Sequence, residues 1–240
     1  MRWGLLGLLP VVAAAALGLT RVDSQRLSQS TTSLEERDAS QRHNILQAAT
    51  RLDGLYLEPG EIFSFNQQVG PRTLERGYLP APAFMTSETV DSVGGGICQV
   101  SSSLYEAALR AGLRVIERHA HFTTVESVPT GLDATVWYGQ ADLRLQNPYP
   151  WPIRWRVRAS QHHLIISLYG STALPLQPLQ RQESWRDPQH LLVSVYQGSR
   201  LISEDVYAVV SQGLHASQKN PWDPGQPTEI RHWEDQPQGD

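Results

Sequence analysis

The sequence predicts an α+β protein, with helices in the N-terminal half packed on a mainly antiparallel sheet and a small β-rich extension at the C-terminus. Two observations and their order carry this. Apolar residues recur at helical spacing in two early segments, Ile45 to Leu52 and Val100 to Ala111. From Val115 onward, β-branched and aromatic residues collect in short runs bounded by Gly, Pro and Asn. Helical patterns therefore come first and strand patterns dominate later. The chain has 240 residues, 40% of them hydrophobic, which suffices for one sizeable core. Its net charge is −4 and Lys219 is its only lysine. No basic run is interleaved with aromatics, which argues against nucleic acid as a partner.

The elements follow in order. Residues 1–22 read as a signal peptide or an N-terminal membrane anchor: Arg2 precedes the uncharged, mostly apolar run Trp3 to Leu19, with small residues at Ala14 to Ala16. Either reading puts the rest of the chain outside the cytoplasm. Residues 23–35 are polar and read as a linker. Ser33 and Glu36 have capping-box spacing ahead of a helix running to about Leu52. Turn signals at Asp53-Gly54 and Pro59-Gly60 frame short strands at Leu55 to Leu57 and Ile62 to Phe65. The segment Arg76 to Val93 reads as a loop and strand whose prolines limit regular pairing.

A second helix follows Cys98 and stops at Gly112. A strand is predicted from Val115 to Val128, placing Glu117, His119 and His121 on one face. Further strands are read in 134–147 and 152–170, the latter a hairpin turning near Ala159 to His162. Residues 36–170 thus form the main domain. Residues 171–240 read as a Pro/Gln-rich linker, two short strands around Gln197-Gly198, and a loose tail from His215.

Cys98 is the only cysteine, so no intrachain disulfide exists. An unpaired thiol in an exported chain is buried and inert, bonded to another chain, a metal ligand, or a nucleophile. Gly94, Gly95 and Gly96 precede it and a helix follows. A helix start stabilises a thiolate through its free N–H groups and dipole, and the same amides can hold an oxyanion. His119, His121 and Asp133 downstream supply a base and a residue to orient it. Cys98, His119 and His121 are equally an incomplete zinc ligand set.

The stretches GGGICQVSSSLYEAALRAGLRVIERHAHFTTVESVPTGLDATVWYG, NILQAATRLDGLYLEPGEIFSFNQQVGPRTLERGY and ADLRLQNPYPWPIRWRV resemble the VanW-domain family, over about Arg37 to Gly170. That resemblance implies a bacterial cell-envelope protein, exported or membrane-anchored, connected with vancomycin resistance. Some members act as cysteine L,D-transpeptidases on peptidoglycan. For this chain it implies Cys98 as nucleophile and His121 or His119 as base. It also singles out Gln99, Ser101, Ser102 and Asp133 as motif positions, with Gly95, Gly96, Gln99, Ser101 and Ser102 near the oxyanion or substrate. The implied partners are peptidoglycan stem peptides; no cofactor or metal is required. The commoner RHNHS of the family is RHAHF here, with Ala120 and Phe122 in polar positions. The competing readings are a non-catalytic envelope-binding module with a structural Cys98, and the zinc site.

Overall fold

The structure is a computed structural model of the chain and describes residues 25–85, 88–172 and 177–209. The segments read as signal or anchor and as loose tail lie outside the described residues. Among those described, no helix is long and apolar enough to cross a membrane.

The fold is α+β. Strands β1 (Gln25–Ser33), β2 (Tyr56–Leu57), β8 (Ile153–Ala159) and β9 (His163–Gly170) form an antiparallel sheet in the order β1-β9-β8-β2. Helices α1 (Ala39–Leu52) and α3 (Ile97–Arg110) cover one face. Strand β8 alternates, with Ile153, Trp155 and Val157 inward and Arg154, Arg156 and Arg158 outward. The inward residues meet Ile45, Ala48 and Leu52 of α1, and Val100, Leu104 and Ala108 of α3, in one core. Trp155 is fully buried, its ring 4.4 Å from that of Phe63; truncating a side chain of that size costs about 3–5 kcal/mol.

Between α1 and α3 lie β3 (Ile62–Ser64), the short α2 (Phe65–Val69) and a hairpin of β4 (Pro80–Met85) with β5 (Glu88–Val93). Strands β6 (Arg114–Glu117) and β7 (Arg144–Gln146) form a second sheet with β3. Strands β10 (Leu179–Asp187), β11 (His190–Gln197) and β12 (Arg200–Ala208) form a third.

Several sequence expectations are corrected. The 23–35 segment is not a linker: β1 occupies it and pairs along its length with β9. Its inward residues are Ser28, Ser30 and Thr32, which bond the Ala107 carbonyl, the Glu106 carboxylate and the Ser103 hydroxyl of α3. Each bond is worth ~1 kcal/mol net, so the strand is held by polar contacts that no hydrophobic pattern announces. Second, α1 is capped by Asp38, which accepts from the Gln41 amide at 2.7 Å in a reciprocal capping box, rather than by Ser33 and Glu36. Third, the hairpin at 80–93 is regular despite its prolines. Pro80 and Pro82 are two apart, so both missing N–H groups fall on the same side of β4. Fourth, residues 179–187 belong to β10 rather than to a linker.

The strand predicted for 115–128 ends at Glu117. Residues 118–136 form a long connection held by side chains and by an isolated bridge between His119 and Thr135. This connection carries most of the site.

The turn before α3 explains the three glycines. Gly94 and Gly96 have φ of 89° and 95°, which disfavour any residue with a Cβ. Gly95 is excluded from substitution by space instead: a Cβ there would lie 2.2 Å from the Ala81 carbonyl oxygen on β4. Gly95→Ala is expected to destabilise the fold by about 3 kcal/mol, the upper end of overpacking costs. Thermal denaturation followed by circular dichroism checks this, and an unchanged melting temperature would contradict the packing.

Candidate active site

Cys98 is the second residue of α3, directly after the glycine turn, and is partly accessible. It sits in the first helical turn, where the Ile97 and Gln99 amides bond the Gly94 and Gly96 carbonyls and the positive end of the helix dipole lies. Its Sγ lies 3.7 Å from the Val136 carbonyl oxygen, a long thiol contact. The His121 ring is close enough to act on the thiol electrostatically.

His121 is oriented from its other side. Its Nδ1 lies 2.7 Å from Asp133 Oδ2, and the same oxygen accepts the His121 backbone N–H at 2.7 Å. Asp133 is fully buried. Its second oxygen accepts from Tyr207 Oη at 2.6 Å and from the Arg118 guanidinium at 3.1 Å. A Cys98–His121–Asp133 relay results, with Nδ1 committed to the carboxylate and Nε2 left for the sulfur.

The electrostatics follow the geometry. Burial pushes the Cys98 thiol up, but the hydrogen bond and charge of His121, the Val136 backbone and the Arg72 guanidinium outweigh it and bring the thiol below its usual value. Burial pushes His121 down, yet the Asp133 hydrogen bond and the Cys98 sulfur raise it to about 9. Burial also opposes ionisation of Asp133; His121 and Arg118 overcome it and hold that carboxyl well below the usual range. The three shifts describe a thiolate–imidazolium pair steadied by a carboxylate.

Arg72 adds a second cation beside the thiol. Its Nη1 donates to Asn66 Oδ1 at 2.7 Å, and its guanidinium stacks over Phe65 at 5.4 Å. Its Nη2 is buried without a hydrogen-bond partner among the described residues.

The other predicted positions have different places. His119 pairs with Glu117 at 2.9 Å, not with Cys98. Gln99 donates to Thr32 and the Ser33 carbonyl and accepts from Arg37, so its amide joins α3 to β1 instead of pointing to an oxyanion. Ser101 donates to the Ala134 carbonyl at 2.6 Å, and Ser102 accepts from the Ala134 N–H at 2.9 Å. These two hydroxyls clamp the residue after Asp133 to α3 and so set the carboxylate beside the helix start. Gly95 and Gly96 form the turn beneath Cys98. Among the described residues, no group of three or more His, Cys, Asp and Glu has a metal-binding arrangement. The zinc set of Cys98, His119 and His121 is not assembled, because His119 turns to Glu117.

Sequence reasoning missed Arg118, Arg72, Asp205 and Tyr207. Arg118 stands inside the ERHAH stretch and offered a faint signal; Asp205 and Tyr207, more than seventy residues from Asp133, offered none.

The molecule is thus an α+β protein with a cysteine–histidine–aspartate relay at a helix start. The profile described as "VanW like protein" matches residues 40–169, and the chain belongs to the VanW-like family. Over 156 residues it is 43% identical to the uncharacterized protein YoaR of Bacillus subtilis (strain 168), covering 65% of this chain and 52% of that one. Over 109 residues it is 32% identical to the vancomycin B-type resistance protein VanW of Enterococcus faecalis (strain ATCC 700802 / V583), covering 43% and 40% respectively. The matched parts span about half of the relatives' length or less. No solved structure matches the chain.

Proposed function

We propose that this protein is a cysteine-dependent acyl transferase of the bacterial cell envelope that acts on peptidoglycan stem peptides in the manner of an L,D-transpeptidase. The observation that carries the reading is the His121 ring hydrogen-bonded to the buried Asp133 and acting on the Cys98 thiol at a helix start. An inert structural thiol needs no oriented, raised-pKa base. Placement in the envelope rests on the apolar N-terminal run and on the vancomycin-resistance protein among the relatives.

The chemistry balances with these residues alone. The Cys98 thiolate attacks the carbonyl carbon of the third stem residue, forming a C–S bond. The positive dipole end of α3 steadies the developing oxyanion. The peptide C–N bond breaks as the His121 imidazolium gives its proton to the departing amine, and a terminal D-amino acid leaves. The side-chain amine of a second stem then attacks the thioester while neutral His121 takes a proton from it. A new amide forms and the thiolate–imidazolium pair is restored. Water in place of the amine gives carboxypeptidase chemistry. Trp137 and Tyr138, exposed and directly following Val136, offer aromatic faces at the rim for substrate.

Incubation of the protein with peptidoglycan tetrapeptide fragments, read by intact-protein mass, tests the reading. The expected result is a Cys98-bound acyl adduct with release of the terminal D-amino acid. A reactive thiol that none of these peptides acylates would sink the substrate assignment. A thiol inert to both peptide and alkylating reagent would favour a non-catalytic binding module.

A further inference from the structure

The family match ends at residue 169, yet beyond it Tyr207 touches Asp133 and Asp205 pairs with Arg118, which in turn bonds Asp133. We propose that Tyr207 and Asp205 are positioning residues for the His121–Asp133 pair, and that the C-terminal three-stranded sheet is therefore part of the reactive unit rather than an appendage. This rests on the reading of Cys98 as a nucleophile.

The Tyr207 hydroxyl has a fixed orientation. It accepts from the Gly131 N–H at 3.1 Å and from Arg118 at 3.1 Å. With both lone pairs engaged, its one proton points to Asp133 Oδ1 at 2.6 Å. Arg118 is fixed as well: its Nε donates to the Asp133 carbonyl at 2.7 Å, its Nη1 pairs with Asp205, and its plane lies 5.1 Å from the Tyr105 ring centre. Asp133 cannot turn its carboxylate without breaking bonds to β12.

The rest of the sheet reinforces this. The Ala208 N–H donates to the carbonyl of Phe122, the residue after His121. Val193 and Val195 of β11 press on Gly131, where a Cβ would lie 2.9 Å from each. The sheet thus grips both the segment carrying His121 and the turn before Asp133. A sheet that only shielded the core would present apolar side chains here; this one sends a carboxylate and a phenol into the polar network.

The charged and titratable groups around the pair come from every neighbouring element. Cys98 and Tyr105 face it from α3, and Arg72 faces the thiol from the turn after α2. Glu117 and His119 stand on the β6 side, paired with each other. Asp205 and Tyr207 complete the set from β12.

The two substitutions have opposite signs. Tyr207→Phe removes a proton from Asp133 Oδ1, so more negative charge is felt at the relay and the carboxylate is less well aimed; the thiol titrates higher. Asp205→Asn keeps an oxygen for Arg118 but removes one negative charge, so the thiol titrates lower. Each shift is ~0.5 pH unit, below the 1–3 units of a directly contacting charge.

The test is the pH dependence of iodoacetamide alkylation of Cys98 in the full chain, for wild type, Tyr207→Phe, Asp205→Asn and Asp205→Glu, with a melting temperature for each. Opposite shifts for the first two variants, and a wild-type profile for Asp205→Glu, support the proposal. Wild-type profiles in both, whatever their melting temperatures, overturn it and make the sheet a cover. If Tyr207→Phe does not fold, the Asp205 pair decides, since that side chain is 18% exposed and lies at the edge of the network. A wild-type thiol that titrates like a free cysteine fails the nucleophile reading itself, and this inference with it.

Discussion

Cys98→Ser is expected to abolish acyl transfer while leaving a folded protein. The two side chains are close in size, and a serine can keep a polar contact to Val136 and to His121 in place of the thiol's, so the fold should lose about 1 kcal/mol or less. The chemistry loses far more. A serine hydroxyl in this site has no depressed pKa to exploit, and an imidazolium at His121 is the wrong protonation state to activate it. Loss of the nucleophile costs roughly 10⁴-fold or more in turnover. Retained melting temperature together with no adduct on tetrapeptide fragments is the expected pair of results. Turnover within tenfold of wild type would remove Cys98 from the mechanism.

Asp133→Asn is expected to damage both function and fold. The oxygen of the new amide can still accept from the His121 backbone and ring, which turns its NH₂ toward Arg118 and Tyr207. Those groups are already donors there, so a donor–donor conflict replaces two hydrogen bonds. Arg118, 5% exposed, keeps only Asp205 as a counter-charge. Breaking one partner of a buried ion pair costs about 3–5 kcal/mol, and a misoriented base costs roughly 10⁴-fold in turnover. His121 also loses its main raising contact and moves down from about 9.

Linkage gives the accompanying pH dependence. In the wild type, the stability from His121 protonation is full below its unfolded pKa of 6.5 and is lost as pH rises through about 9. That from Asp133 ionisation is present above its unfolded value of 3.8 and is lost as pH falls below it. Asp133→Asn should flatten both limbs of a stability-against-pH curve. Wild-type pH dependence in this variant would contradict the relay.

What the sequence revealed, and what it hid, follows from which forces hold each part. Helices α1 and α3 and the β8–β9 hairpin were legible because apolar side chains hold them, and apolar side chains have a period. Strand β1 was hidden because Ser28, Ser30 and Thr32 face inward to polar groups on α3. Strand β10 was hidden because it is an exposed edge strand, polar along nearly its whole length, that borrows its order from β11. The stretch after Glu117 misled in the opposite way: its β-prone residues lie in a connection pinned by Asp133 and by the Ala208 amide.

The site divides similarly. Cys98, His121 and Asp133 could be named because chemistry demands a nucleophile, a base and an orienting acid. Gln99, Ser101 and Ser102 stood out by motif, but they join α3 to β1 and to the Asp133 turn rather than meeting the oxyanion. Arg118 acts on Asp133 from the same connection, and Asp205 and Tyr207 act from β12, which only folding brings near.

The central claim is that Cys98 is a thiolate paired with His121. The chain's single cysteine makes one measurement unambiguous: the rate of Cys98 alkylation as a function of pH, in wild type and in His121→Ala. The account predicts a wild-type thiol titrating below the usual cysteine range, with a second inflection near 9 as His121 loses its proton. In His121→Ala, the second inflection disappears and the thiol titrates higher. A wild-type thiol that titrates at the ordinary cysteine value, or one unaffected by removal of His121, would contradict it.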